Sequence, residues 1–218
     1  MKKAFNIEKI ENRAEWVHVS RGMSGKMAGI LAISTSVIEN AVCQARAKIK
    51  GSVCEKCFAL STVKRYGALA AHLALNLERL AGADLTPAQV PYINGTLCRF
   101  EAFGDLANVT HAKNYIRIAA ANPHCTFALW TKNPGFLKKA IDELGKPANL
   151  IVVLSSFHLN KIDSAAAFPF VDHVFTVYDA ETIERENVEI NCGARDCMGC
   201  RRCYTVGNAD FYISEKLK

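Results

Sequence analysis

Cysteine spacing is the feature of this sequence that most directly predicts chemistry. Seven of the nine cysteines in the 218-residue chain lie in two short groups. The first cysteine set consists of Cys43, Cys54 and Cys57, and the second cysteine set consists of Cys192, Cys197, Cys200 and Cys203. Clustered thiolates are the usual ligands of iron–sulfur clusters and of structural zinc. The two sets therefore predict one or two metal centres.

The second cysteine set follows the pattern Cys-x4-Cys-x2-Cys-x2-Cys. Gaps of this size let one loop wrap around a single centre, and bacterial ferredoxins bind four-iron clusters with similar gaps. Structural zinc more often uses two Cys-x2-Cys pairs separated by a longer loop. The run therefore favours a [4Fe-4S] cluster, with zinc as the alternative at this C-terminal site.

The first cysteine set supplies only three ligands, which do not complete a four-thiolate site. A fourth ligand can come from elsewhere, the three can share a site with the second set, or one iron can stay open to a small molecule. The remaining cysteines, Cys98 and Cys125, have apolar neighbours in predicted strands. Free cysteine is often buried, so we interpret both as core residues.

Composition sets the protein class and the expected location. Half of the residues are apolar, 22% are charged and the formal net charge is +6. These values indicate one globular domain over residues 1–218, with residues 190–206 as an appended metal-binding segment. An odd number of cysteines with no export signal predicts a reducing, cytoplasmic location and no membrane contact. The basic excess is compatible with nucleic acid or an anionic cofactor and selects neither.

Hydrophobic periodicity predicts the elements that position these residues. Strand patterns occur at 16–19, 97–103, 126–130, 150–154 and 171–177, and helix patterns at 63–82, 109–121, 135–144 and 180–186. Alternation of strand and helix indicates a parallel α/β sheet. A full eight-unit barrel needs about 250 residues. We therefore predict a partial, open TIM-like barrel of parallel strands, with cysteine-bearing loops towards both ends of the chain.

Polar residues lie at or just after the carboxyl ends of several predicted strands, where ligands bind in parallel α/β proteins. They are Glu101, Gly104, Asp105, Lys132 and Ser155. A glycine permits close backbone approach, a carboxylate can hold an ammonium or ribose hydroxyl, and a lysine can hold a carboxylate or phosphate. The same sequence also allows Asp105 to cap the following helix, Lys132 to be solvated and Ser155 to begin a turn.

Several stretches resemble the phage "gene product 88" family. Residues 51–60, GSVCEKCFAL, match its G-x-x-C-x-x-C-Y-A signature, with Phe58 in place of tyrosine. Residues 24–27, residues 99–106 and the second cysteine set with its following Tyr204 match as well. Together these stretches cover most of the chain.

The chain is also similar to short radical S-adenosylmethionine proteins. The similarity rests on the early cysteine loop and on residues 103–105, 130–134 and 154–156. This resemblance implies a [4Fe-4S] cluster on the first cysteine set, with S-adenosylmethionine on its open iron. It also implies cofactor contacts from the five polar residues that follow the strands, and an external electron donor if the protein is catalytic.

The substrate class is left open between a small molecule and a nucleic acid. The alternative to an enzyme is a non-catalytic iron–sulfur or zinc protein that senses redox state or binds nucleic acid. The arginines Arg195, Arg201 and Arg202, which lie between the last cysteines, suit either reading, because cations stabilise an anionic cluster and also contact phosphates.

Overall fold

A parallel sheet organises the computed structural model, which describes residues 16–21, 24–207 and 211–217. In this part of the chain the sheet has six strands, in the order in which they occur in the sequence. They are β1 (Leu31–Ile33), β2 (Leu97–Phe100), β3 (Thr126–Thr131), β4 (Leu150–Ser155), β5 (His173–Tyr178) and β6 (Tyr212–Lys216). Each pairs in parallel with the next, and β1 does not pair with β6. The predicted parallel α/β sheet is confirmed, and it is open.

Helices occupy most of the crossovers between strands. The structure has α1 (Ala41–Arg46), α2 (Phe58–Arg65), α3 (Gly67–Gly82), α4 (Val109–Ala121), α5 (Pro134–Leu144), α6 (Ala180–Glu186) and α7 (Cys197–Cys200). Short 3-10 turns occur at Gly25–Met27, Pro87–Gln89 and Arg202–Tyr204. Among the described residues, no helix is long and apolar enough to cross a membrane.

The main core lies between one face of the sheet and the crossover helices. Alternate residues of β2 and β3, such as Phe100 and Phe127, are fully buried there with Tyr115 of α4. Their rings stack at centroid separations of 4.1 and 4.8 Å. Cys98 and Cys125 belong to the same core, as predicted. Every residue of β4 is buried, as expected for a continuous apolar run in a parallel sheet.

The opposite face of the sheet is covered by the C-terminal cysteine segment. Tyr204 packs there with Ala128 and Ile151 in a second apolar cluster, and Met198 and Cys203 pack against it. The second cysteine set is therefore built onto the sheet itself.

The sequence and the structure differ at several boundaries. The predicted helix at 63–82 is two helices, because Tyr66 is extended between α2 and α3. The predicted strand at 97–103 ends at Phe100, because Glu101 takes a left-handed backbone with φ 58°. The segment 16–19 makes no strand of its own, and only the neighbouring Ser20 bridges to β1. Strand β6 has no counterpart in the sequence prediction.

Candidate functional site

One large cavity, of about 1610 Å³, opens at the carboxyl ends of the strands and extends along the sheet face opposite the main core. It is lined by all seven clustered cysteines and by Glu101, Gly104, Asp105, Lys132 and Ser155. The structure therefore brings every metal and cofactor residue predicted from the sequence to a single cavity. Its volume exceeds the roughly 300–1,000 Å³ of common ligand pockets.

The two cysteine sets occupy different parts of this cavity. The first set lies beside the strand ends. Burial raises the pKa of the Cys43 thiol, and the nearby charges of Asp105 and Glu101 raise it further. The second set lies on the sheet face, where Cys200 is exposed and burial raises the pKa of Cys203 to about 12. Among the described residues, no three His, Cys, Asp or Glu side chains already converge on one metal-ion position. The described cysteines therefore share one cavity without being arranged around a metal position.

Asp105 joins the ends of two strands. Its Oδ1 accepts hydrogen bonds from the Leu106 N–H at 2.8 Å and the Thr131 hydroxyl at 2.6 Å. Its Oδ2 accepts one from the Lys132 N–H at 3.0 Å and lies 3.4 Å from the Arg46 guanidinium. It does not cap α4, because the Asn108 side chain does so. Asp105 therefore holds the segments after β2 and β3 together, and these segments form the cavity wall at the strand ends.

Helix α1, which carries Cys43, is attached to the same wall at both ends. Asn40 caps its first turn and donates to the Asp105 carbonyl at 2.7 Å. Arg46, in its last turn, donates to the Lys132 carbonyl at 2.9 Å, and its guanidinium lies 5.4 Å from the Phe157 ring centroid. These contacts set the position of Cys43 relative to β2, β3 and β4.

The turn at residues 51–57 holds Cys54 and Cys57 against the end of β4. Val53 N–H donates to the Phe157 carbonyl at 3.0 Å, and Ser52 forms an isolated bridge with His158. Gly51 adopts φ +73°, a conformation that favours glycine. The turn is thereby attached to the segment after β4.

Glu101 and Gly104 lie in the cavity wall and stabilise it from within. The buried Glu101 carboxylate accepts from the Thr35 hydroxyl and the Tyr115 hydroxyl, each at 2.9 Å. Burial raises the pKa of Glu101 to about 8 and lowers that of the adjacent His111 to about 3. Gly104 has φ +89°, and a Cβ there would lie 2.5 Å from the Thr35 Oγ1. The close approach predicted for this glycine is thus towards Thr35 and Glu101.

Lys132 and Ser155 carry the polar groups of this wall that are turned to the cavity. Within the described ranges, neither the Lys132 ammonium nor the Ser155 hydroxyl is engaged by another side chain. The positive charge of Lys132 favours the ionised form of Cys54, although burial raises that thiol's pKa overall. Ser156, by contrast, faces away and hydrogen-bonds the Thr176 hydroxyl at 2.8 Å.

A half-buried arginine, Arg99, faces the second cysteine set from β2. The Arg99 guanidinium lies 3.8 Å from the Trp130 ring centroid, and its Nε is buried without a partner among the described residues. Its charge favours the ionised forms of Cys197 and Cys203, against the effect of burial. Asp196 caps α7 through the Gly199 N–H at 2.6 Å.

Sequence reasoning missed four residues that shape the site: Asn40, Arg46, Thr35 and Arg99. Two signals were available. Arg46 follows Cys43 by three residues, and Arg99 is a charge inside an otherwise apolar strand. Thr35 and Asn40 had no such signal, because their roles depend on contacts with residues more than sixty positions away.

Comparison with known proteins gives the family. Neither the curated proteins nor the solved structures contain a match to this chain. The family model described as gene product 88 matches residues 8–210, which is most of the sequence. The chain therefore belongs to the gene product 88 family.

Proposed function

We propose that this protein is an iron–sulfur enzyme of the radical S-adenosylmethionine type, built on a partial TIM-like barrel. One observation carries the proposal: the three thiols of the first cysteine set line the same cavity wall as Asp105, Lys132 and Ser155. Ligands of parallel α/β proteins bind at this end of the strands. Three thiolates beside such a wall suit a four-iron cluster with one open iron.

The chemistry of the donor set fits this assignment. Three cysteines and no other clustered ligand leave one iron without a protein thiolate. When bound, the cluster would supply the electron that cleaves S-adenosylmethionine. The chain's own contribution is positional: Arg46 holds the Cys43 helix on the strand ends, the Lys132 ammonium attracts the cofactor carboxylate, and the Ser155 hydroxyl donates a hydrogen bond to it.

The second cysteine set would form a closed site. Its four thiols lie on a segment that packs against the sheet, so a metal there would also hold Tyr204 and α7 in place. Arg99 would offset the negative charge of the thiolates. A four-iron cluster at this site would relay electrons from a donor, whereas zinc would act only in folding.

The test is anaerobic purification with iron, sulfide and zinc counting, beside an absorbance spectrum. Wild type is compared with two variants: Cys43, Cys54 and Cys57 all changed to Ala, and the four cysteines of the second set all changed to Ala. We expect about eight irons in wild type and about four in each variant. Four irons with one zinc would assign zinc to the second set.

The enzymatic part of the proposal has its own measurement. Reduced wild-type protein should convert S-adenosylmethionine to 5′-deoxyadenosine, and the variant of the first cysteine set should not. The variant of the second set is the matched control for the loss of a metal centre. If wild type contains iron but neither binds nor cleaves S-adenosylmethionine, the non-catalytic alternative replaces this proposal.

A further inference from the structure

The net positive charge of the chain is concentrated on the cavity wall. Ten of the 27 basic residues and four of the 21 acidic residues line the cavity, which leaves 17 of each elsewhere. The basic ones are Arg21, Lys26, Arg46, Lys48, Lys56, Arg99, Lys132, Arg201, Arg202 and Lys216. The whole formal excess of +6 therefore belongs to this wall, and the rest of the chain is balanced.

The four acidic residues of the wall are all engaged by the protein itself. They are Glu101, Asp105, Asp196 and Glu215, which hydrogen-bond or pair with neighbouring groups. Two four-iron clusters with seven thiolates would add roughly three negative charges. A positive excess would remain, so the wall is suited to a further anionic ligand.

Two aromatic side chains are exposed at the mouth of the same cavity. Phe58 and Tyr66 are 67% and 55% exposed, and both line the cavity. Phe58 begins α2, and Tyr66 is the extended residue that follows its last turn, so the two rings lie at opposite ends of this helix. Phe58 also lies 6.0 Å from the Phe103 ring centroid. Exposed rings beside a charged cavity offer faces for stacking.

Two exposed lysines line the same cavity as these rings. Lys56 precedes Phe58 by two positions, and Lys48 lies on the same wall. Both are exposed, and within the described part of the chain neither ammonium makes an ion pair. Alternating aromatic faces and cations bind single-stranded nucleic acids, because bases stack on the rings while phosphates contact the cations.

We propose that this mouth binds a single-stranded nucleic acid. Bases stack on Phe58 and Tyr66, phosphates contact Lys48 and Lys56, and one nucleotide enters the cavity towards the first cysteine set. Binding of the nucleic acid at the mouth needs no metal. Its role as the substrate of the enzyme, however, rests on the proposed function. An acidic protein would use the cations without the rings, so stacking is what distinguishes the two partners.

Fluorescence anisotropy tests this with a labelled oligothymidylate of about 12 nucleotides, within the usual site size. Phe58→Ala and Tyr66→Ala should each weaken binding about tenfold. Tyr92→Ala is the matched control, because Tyr92 is 71% exposed but lies outside the cavity lining, and its affinity should equal that of wild type. Folding of each variant is checked by circular dichroism and thermal unfolding.

The salt dependence provides an independent measurement. Lys48→Ala and Lys56→Ala should each reduce the slope of log affinity against log salt by about 0.7, the value for one single-strand phosphate contact. Lys139→Ala, an exposed lysine on α5 outside the cavity lining, should leave the slope unchanged.

Three competitors separate the possible ligands. Unlabelled oligothymidylate should displace the probe, whereas thymidine monophosphate and polyglutamate should not do so at equal monomer concentration. Displacement by the mononucleotide, displacement by polyglutamate, or equal affinity of the Phe58→Ala and Tyr66→Ala variants and wild type would each overturn the proposal. The alanine variant of the first cysteine set should still bind the strand. If the strand still binds but wild type contains no iron, the enzyme proposal is wrong and the nucleic-acid proposal is retained.

Discussion

The two cysteine sets are attached to the sheet by different kinds of interaction. The first set is held mainly to the strand ends by polar contacts, in which Asp105 and Arg46 tie α1 to β2 and β3, while Cys43 and Cys57 also pack on a small apolar cluster of α2 and α3. The second set is held by apolar packing of Tyr204 and Met198 on the sheet face. Its flank is also tied to β6, because Cys192 N–H donates to the Ser214 carbonyl at 3.0 Å.

Under the proposed function, this difference would separate a site for ligand exchange from a site that supports the fold. Polar attachment at the rim of a cavity leaves Lys132 and Ser155 accessible to a ligand. Packing on the sheet face makes the second segment part of the core, so its loss exposes apolar surface. The two attachments should therefore break independently of each other.

The largest effect is expected from Asp105→Ala. The change leaves the Thr131 hydroxyl, two backbone N–H groups and the Arg46 guanidinium without their acceptor, which should cost about 4 kcal/mol of unfolding free energy. Metal bound by the first set should be lost while the second set keeps its own. Urea unfolding and metal counting measure both. Asp142→Ala, which removes an exposed ion pair with Lys138, is the control and should change stability little.

Tyr204→Ala should break the other attachment. Removing a buried aromatic side chain that packs on β3 and β4 should cost about 3 kcal/mol. Here metal should be lost from the second set and kept by the first, the reverse of the Asp105 result. Tyr204→Phe keeps the ring and should stay close to wild type. Loss of metal from both sets in either alanine variant would show that the two regions unfold together.

Glu101→Gln should change how stability depends on pH. Burial raises the pKa of Glu101 to about 8 in the folded protein, above its ordinary value of 4.5. The folded state therefore binds the proton more tightly, so stability is greatest below about pH 4.5 and is lost as pH rises to about 8. An uncharged glutamine should remove that loss, so the stability of the variant should change less between pH 5 and 8 than that of wild type. Unfolding midpoints between pH 5 and 9 measure it, and parallel curves for variant and wild type would contradict it.

The smallest effect is expected from Arg99→Met. Without the guanidinium beside the second cysteine set, a chelator should remove metal from that set about tenfold faster, the usual size of an outer-shell change. Arg99→Lys keeps the charge and should restore much of the difference. Arg195→Met is the control, because Arg195 lies in the same segment but is exposed. Equal chelation rates for Arg99→Met and wild type would show that this arginine does not stabilise the site.

The sequence predicted the parts of the fold that have strong local patterns. The apolar run of β4 and the periodicity of α4 predicted both elements closely, and burial of Cys98 and Cys125 was predicted correctly. Strand β6 was missed because its sequence, YISEK, is half polar and belongs to an edge. The break at Tyr66 was missed although Gly67 follows it, because the apolar spacing continues on both sides of that glycine.

The sequence predicted which residues belong to the candidate site, but not their hydrogen-bond partners or their positions relative to the sheet. Parallel topology explains why polar residues after β2, β3 and β4 meet at one cavity. The inward-facing bonds of Glu101 and Asp105 could not be predicted, because Thr35, Tyr115 and Thr131 reach them through long-range packing. The position of the second cysteine set on the sheet face required the three-dimensional structure.

The connection between β1 and β2 has a consequence for folding. It runs over residues 34–96 and contains the whole first cysteine set, whereas residues 132–149 suffice to join β3 to β4. Closing the longer connection costs about 1 kcal/mol more in chain entropy. We therefore expect β1 to dock on β2 later than the other neighbours pair, and to separate from it first. The wall that holds Cys43 would then be the first part of the cavity to open, which gives a long ligand a way in while β2 to β6 stay paired.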